Sequence, residues 1–373
     1  MQQVHHPLLS LSIGTQRQVT SLHFGAPGTG PKAYVQASLH ADELPGMLTA
    51  HHLRALLETA EQRGEVVGEV VLVPLSNPIG LSQSVMHHQM GRFELGSMEN
   101  FNRNYPDFFA LVKDEVATEL GPDADANKRV IRAAMHRALK AQTPTTELQS
   151  LRHVLMTLAC DADVVLDLHC DFEAVMHLYV EQPMVDQMTP LARLLGARAL
   201  LWARGSGPLI SFDEALSGPW WRLREHFADK APVPLACAST TVELRGQTDV
   251  SDALAAQDSQ AIVGYLRHIG VLAGPAPALP EPLCEATPLA GTESLHAPHA
   301  GVIVFAADVG DVVQAGQLLA RVVDPLSGQA TPIHSAIAGV VYARHNLRWA
   351  TTGLELCRVA GRTPIRSGNL LSP

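Results

Sequence analysis

The sequence predicts an α/β fold, a mixed and largely parallel sheet flanked by helices, followed by a small all-β, barrel-like C-terminal domain. Three observations predict it. Strand-like and helix-like segments alternate over residues 1–272. A proline-rich stretch, 273–288, interrupts the alternation. Beyond it, residues 289–373 show short β-branched runs punctuated by glycine and no convincing helical period.

The elements follow in chain order. Residues 32–39 (KAYVQASL) read as a strand, and Leu44, Met47, Leu48, Leu56 and Leu57 give 43–62 a helical period. The run 69–75 (EVVLVPL) is short and β-branched, hence a buried strand. Helical patterns recur near 126–141 and 145–160. Strands are expected at 163–169 (DVVLDLH) and 174–180 (AVMHLYV). A helix near 189–197, a strand at 199–203, a helix near 217–229 and a strand at 238–244 (STTVELR) come next. Residues 251–270 close the domain as a helix, with Ser251 as its cap. Such alternation favours parallel strands with helices on both faces.

Residues 273–288 contain Pro275, Pro277, Pro280, Pro282 and Pro288 and are expected to be a linker. In 289–373, HAPHAGVIVF (296–305) and HSAIAGVVYA (334–343) look alike, with VGDVVQAGQLLARV between them. This module resembles the biotinyl/lipoyl-type barrel. Such carriers present their cofactor on a lysine, but the last lysine of the chain is Lys230, so the resemblance concerns architecture alone.

Composition narrows the function. Hydrophobic residues make up 46% of the chain, and the 27 basic against 37 acidic side chains give a formal charge of −10. Nucleic-acid binders carry a basic footprint, which these totals lack. No uninterrupted apolar run is long enough for a membrane span. The first residues show no signal-peptide pattern. The five cysteines have no C-x-x-C spacing, which argues against thiolate zinc ribbons and disulfide frameworks and for a reducing, cytoplasmic setting.

The chemistry concentrates at strand ends, where open α/β sheets build their sites. His40 and Glu43 follow the first long strand, three residues apart; a first helical turn there points both at one spot. His169 ends VVLDLH, on the strand face it shares with Asp167. Two imidazoles and a carboxylate form a catalytic zinc set with one open position, and Asp167 is placed to orient a ligand. Glu243 ends the last long strand. It is a candidate general base, and an ion pair with Arg245 is its plain alternative. Arg92 and Arg103, in the aperiodic loop, are candidates for binding a carboxylate or an oxyanion.

These pieces together resemble the succinylglutamate desuccinylase/aspartoacylase family, relatives of the zinc carboxypeptidases. Its H-x-x-E matches His40 and Glu43, its D-x-H strand end Asp167 and His169, and its base Glu243. Its N-R motif matches Asn102-Arg103, which implies substrate-carboxylate binding by Asn102 and Arg103; Arg92 resembles its oxyanion-side arginine. The resemblance implies one Zn2+ per chain and a small-molecule N-acyl amino acid as substrate. One departure is Cys170-Asp171-Phe172-Glu173 after the third ligand, where the family often has a small polar pair. Asp171 and Glu173 are candidates there for recognising a cationic group, with a solvent-facing position as the equal alternative. The favoured reaction is deacylation of an N-acyl amino acid or similar small amide. A zinc carboxypeptidase acting on peptides and a non-catalytic zinc-binding scaffold are the alternatives. The sequence leaves oligomeric state open, a homo-oligomer included.

Overall fold

The structure is a computed structural model that describes residues 1–371. A nine-stranded mixed sheet forms its centre. The strands are β1 (Gln2–Pro7), β2 (Gln18–Gly25), β3 (Lys32–Ala37), β4 (Glu69–Val73), β5 (Val164–Asp171), β6 (His177–Glu181), β7 (Ala199–Ala203), β8 (Ala238–Gly246) and β9 (Ala286–Pro288). Their spatial order is β1-β2-β4-β3-β5-β8-β6-β7-β9. The run β4-β3-β5-β8 is parallel, while β1, β2 and the β8–β6 pair are antiparallel. β4 is wholly buried and β5 is buried except at Asp171, as a strand covered on both faces is expected to be.

Helices cover both faces. Pro45–Gln62, Val185–Leu195 and Asp252–His268 pack together on one face. On the other, Phe108–Val116 packs against Ala124–Lys140 and Phe212–His226, and Phe212 lies against Tyr34 of β3. No helix among the described residues is long and apolar enough to cross a membrane.

The C-terminal part folds into two small sheets. One runs Thr292–His296, Glu355–Ala360, Gly339–Arg344, Val312–Val313; the other runs Ala330–His334, Leu318–Val323, Gly301–Phe305, Trp349–Ala350. The two similar segments thus supply one strand to each sheet. Leu295, Ile303, Val313, Leu319, Val322, Val341, Leu356 and Val359 fill the space between.

The division between the two parts is less clean than the prolines suggest. The last three residues of the expected linker form β9, parallel to Leu200–Trp202. Pro288 is tolerated because β9 is the sheet edge. In the other direction, Glu173–Ala174 pairs with Ala343–Arg344 and so joins the first part to a C-terminal sheet. Glu173 accepts from Arg344 Nε at 2.6 Å and Arg348 Nη2 at 2.7 Å, and Phe172 stacks on His345 at 4.3 Å. Tyr342, 1% exposed, sits between the two parts with His177 5.0 Å away.

This docking predicts that Tyr342→Ala costs about 3–5 kcal/mol of stability, the range for removing a fully buried aromatic ring. Urea unfolding would measure it. A loss below about 1 kcal/mol would mean that the two parts do not depend on each other.

Candidate metal centre and its pocket

The site begins where β3 stops. Ser38 takes a left-handed φ of 68°, which ends the extended run before Leu39. The chain then turns tightly, with Glu43 N–H donating to the His40 carbonyl at 3.1 Å. The helix starts only at Pro45. The expected first helical turn is therefore a non-helical turn, and it still places both side chains on one side. Two glycines permit the crowding around it. A Cβ on Gly46 would stand 2.9 Å from the Leu168 carbonyl oxygen, so a side chain there would push the helix start off β5, next to His169. A Cβ on Gly91 would stand 2.0 Å from Asp42 N, which presses the Arg92 loop against the turn.

His40, Glu43 and His169 offer ligand atoms that all lie within 4.8 Å of one another, and all three residues are buried. Glu43 Oε1 is 2.9 Å from His40 Nδ1, and Glu43 Oε2 is 2.8 Å from His169 Nδ1. The outer nitrogens are also engaged. His40 Nε2 is 2.9 Å from Asn100 Oδ1. His169 Nε2 lies 3.0 Å from Asp167 Oδ2, although the angle is too poor for a hydrogen bond. Asp167 Oδ1 accepts from Gln36 Nε2 at 2.9 Å, and Gln36 Oε1 accepts from Tyr34 at 2.9 Å. Metal-binding histidines are usually oriented by such partners on the ring atom that faces away from the ion.

Charge favours a cation in this space. Burial, and then Arg92, pushes the His40 imidazole down to about 4, so it is neutral as a ligand must be. Burial also opposes charge on His169, but Asp167 and Glu43 outweigh it and raise its pKa well above the usual value. Burial likewise opposes charge on Glu43, which the two histidines overcome, holding the carboxylate ionised. Arg92 Nη1 stands 3.1 Å from both Glu43 Oε1 and His40 Nδ1, a positive group already drawn to the same atoms. Donor set, geometry and charge all fit a divalent ion such as zinc.

Glu243 lies beside His169 in register across β5 and β8. Its Oε2 is buried without a hydrogen-bond partner among the described residues, and burial, followed by the charge of Glu43, pushes the carboxyl up to about 8. The ion pair with Arg245 does not form. Arg245 has a φ of 64° at a break in strand register, which turns its guanidinium to Asp258 at 3.2 Å.

A pocket of about 550 Å³ opens from these residues. Asn102 and Arg103 line it and are both buried. Asn102 Oδ1 accepts from Phe212 N–H at 2.8 Å, so that oxygen anchors a helix start and its amide NH₂ is the end left to face a ligand. Arg103 Nη1 donates to the Asn102 carbonyl at 2.7 Å. The structure thus brings His40, His169, Arg92, Asn102, Arg103, Asp171 and Glu243 to one cavity, with Glu43 and Asp167 against the imidazoles and Glu173 outside the lining.

Asp171 and Glu173 do not await a cation. Asp171 is paired with Arg358 at 2.7 Å, and Glu173 with Arg344 and Arg348, all from the C-terminal part. Arg358 and Tyr342 wall the pocket beside them. Sequence reasoning missed these walls, and missed Asn100, which lay two residues before the Asn-Arg motif. It also missed Glu181 and Asp213, which end β6 and begin a helix and line the same pocket.

Comparison with known proteins bears on the same residues. The model of the succinylglutamate desuccinylase/aspartoacylase catalytic domain matches residues 29–269. Among curated proteins, none matches the chain in sequence. A solved structure of a succinylglutamate desuccinylase/aspartoacylase family protein from Shewanella amazonensis SB2B is 27% identical; the match covers 96% of this chain and 98% of that one, with a TM-score of 0.85. A protein from Shewanella frigidimarina NCIMB 400, provisionally assigned as a succinylglutamate desuccinylase/aspartoacylase, is also 27% identical, with 96% of each chain covered and a TM-score of 0.85. The product-bound ectoine utilization protein EutE (DoeB) from Ruegeria pomeroyi shares the fold, at 19% identity over 97% of this chain and 95% of that one, with a TM-score of 0.65. Since the family model spans the strand ends that carry His40, Glu43, His169 and Glu243, and the full-length neighbours extend the likeness through the C-terminal sheets, the chain belongs to the succinylglutamate desuccinylase/aspartoacylase family.

Proposed function

We propose that this protein is a zinc-dependent hydrolase that removes the acyl group from an N-acylated amino acid or a similar small amide. The observation that carries the reading is the convergence of His40, Glu43 and His169 within 4.8 Å, beside Glu243, in a pocket walled by the C-terminal part. A divalent cation held by the three side chains supplies Lewis acidity, lowering the pKa of water toward ~7 and polarising an amide carbonyl.

The chain's own groups do the rest. Glu243 takes a proton from the attacking water and returns it to the departing nitrogen. Its burial makes it a stronger base than a solvated carboxylate. Arg92, with its guanidinium already at Glu43, is placed to stabilise the oxyanion of the tetrahedral intermediate. Asn102 and Arg103 bind the substrate carboxylate, Arg103 offering planar donors. Asn100 and Asp167 hold the two imidazoles in orientation. Tyr342, Arg344 and Arg358 narrow the pocket from the C-terminal side, which favours a small amide over an extended peptide.

Metal analysis of the purified protein should find about one zinc per chain, and none after His40→Ala or His169→Ala. Glu243→Gln should keep the zinc and lose roughly 10²–10⁴-fold in kcat, the usual contribution of a positioned base. Retained turnover in that variant would remove Glu243 from the mechanism.

Zinc affinity should rise with pH. His169 has a raised pKa, so at neutral pH and below its proton competes with the metal. Each unit of acidification below that pKa should weaken binding by up to about tenfold, as read by competition with a chelating dye. An affinity flat between pH 6 and 8 would show that His169 is not a ligand.

A panel of N-acetyl, N-succinyl and N-formyl amino acids set against short peptides should yield turnover of the acyl amino acids only. Cleavage confined to peptides would replace deacylation with carboxypeptidase action.

A further inference from the structure

The carboxylates in and around the pocket differ in how they are compensated. Asp171, Glu173 and Glu355 are each matched by an arginine: Asp171 and Glu355 by Arg358, Glu173 by Arg344 and Arg348. Glu214 is matched by hydrogen bonds, accepting from Ser206 N–H at 2.6 Å and Ser211 N–H at 3.1 Å. Glu43 and Glu243 belong to the reaction centre. Glu181 has no arginine among the described residues; only the Gly205 N–H and the Trp221 indole favour its charge, and they are outweighed.

Glu181 is the last residue of β6, 5% exposed, and lines the pocket. Its Oε2 is buried and finds no hydrogen-bond partner among the described residues. Asp213, 6% exposed, lines the same end; it accepts from Ser211 Oγ but makes no ion pair among the described residues. A buried carboxylate oxygen left without a partner costs stability, and in a cleft it marks a candidate for completion by a ligand. Burial pushes Glu181 up to about 8, helped by Glu214 and Asp213, which describes surroundings short of positive charge.

Position gives the geometry. His177 pairs in register with Glu243 at one end of β6, and Glu181 is at the other. At about 3.4 Å per residue the two levels stand roughly 14 Å apart along the strand. Tyr179 and Thr241 line the pocket between them. A molecule with its amide at Glu243 therefore reaches Glu181 only with its far end.

Building on the deacylase reading, we propose that Glu181, backed by Asp213, is a specificity-determining subsite for a protonated amine or guanidinium at the far end of the substrate. The preferred substrate is then an N-acylated amino acid with a long basic side chain. Its carboxylate goes to Asn102 and Arg103 and its cation to Glu181, so the pocket takes a zwitterionic molecule. This assigns to Glu181 the cation recognition that the sequence suggests for Asp171 and Glu173.

The test compares Nα-acetyl-L-lysine with Nα-acetyl-L-norleucine, which lacks the ammonium but keeps the side chain's hydrocarbon stem, in the zinc-loaded wild type and in Glu181→Gln. The wild type should prefer acetyl-lysine by at least about tenfold in kcat/KM, the value of one charge-assisted hydrogen bond. Glu181→Gln should lose that preference through KM and leave acetyl-norleucine within about twofold, which also shows that the variant folds. Equal losses on both substrates, or a wild type that prefers acetyl-norleucine, would overturn the subsite and leave the deacylase reading standing. If neither acetyl substrate is hydrolysed, the panel of acyl amino acids and peptides decides the deacylase reading, and calorimetric titration with free L-lysine and L-norleucine decides the subsite separately. Tighter lysine binding that Glu181→Gln abolishes would support it; no preference would sink it.

Discussion

Glu43 is 3% exposed, and each of its oxygens faces a different imidazole. A carboxylate so buried is tolerable only with positive charge or donors on every side. The structure meets that demand with His40, His169, the Cys170 backbone N–H at 3.1 Å and Arg92. Much else follows from the need to bring these groups together. Ser38 breaks β3 before its expected end, Gly46 lets a helix sit against β5, and Gly91 admits the Arg92 loop. Each is a local cost carried by the surrounding core, which is where strain is expected at a functional site.

The same logic extends outward in layers. The His40 ring atom that faces away from the trio is held by Asn100, that of His169 lies 3.0 Å from Asp167, and Asp167 is fixed by Gln36 and, through it, Tyr34 inside the sheet. A network this buried fixes the orientation of its members because each broken contact leaves a polar atom unsatisfied. On the other side the pocket depends on the C-terminal part. Arg358 neutralises Asp171, Arg344 and Arg348 neutralise Glu173, and Tyr342 fills the seam. The small β module is thus a wall of the cavity rather than an appendage. Its want of a lysine is consistent with that use.

Acidic and basic groups are interspersed along the pocket. Arg92 stands at Glu43, Glu181 ends β6 four residues from the level of Glu243, and Arg103 lies between, near Arg92 on one side and Glu214 and Asp213 on the other. Arg103 feels both, since burial and Arg92 disfavour its charge and Glu214 and Asp213 favour it. A charged ligand entering this space meets a field rather than one contact, and selectivity comes from how its charges are spaced along that field.

The sequence by itself determined the alternation of elements, the mixed sheet and the residues that carry the chemistry. Period and strand-end position are local properties, and VVLDLH or TVELRG can be read without knowing what lies nearby. It erred where the outcome depended on partners distant in the chain. Nothing local shows that residues 2–25 add an antiparallel pair to the sheet, or that Ala286–Pro288 of the proline-rich stretch is an edge strand. The turn at His40–Glu43 looks helical until β5 and the Gly91 loop are seen to crowd it. Above all, Asp171 and Glu173 look like free carboxylates in the sequence, while Glu181 looks like an ordinary strand end. Only the tertiary structure supplies arginines from residues 344–358 to the first pair and none to the third. Which buried charge stays uncompensated is decided by packing across nearly 200 residues of chain separation, and no local pattern encodes it.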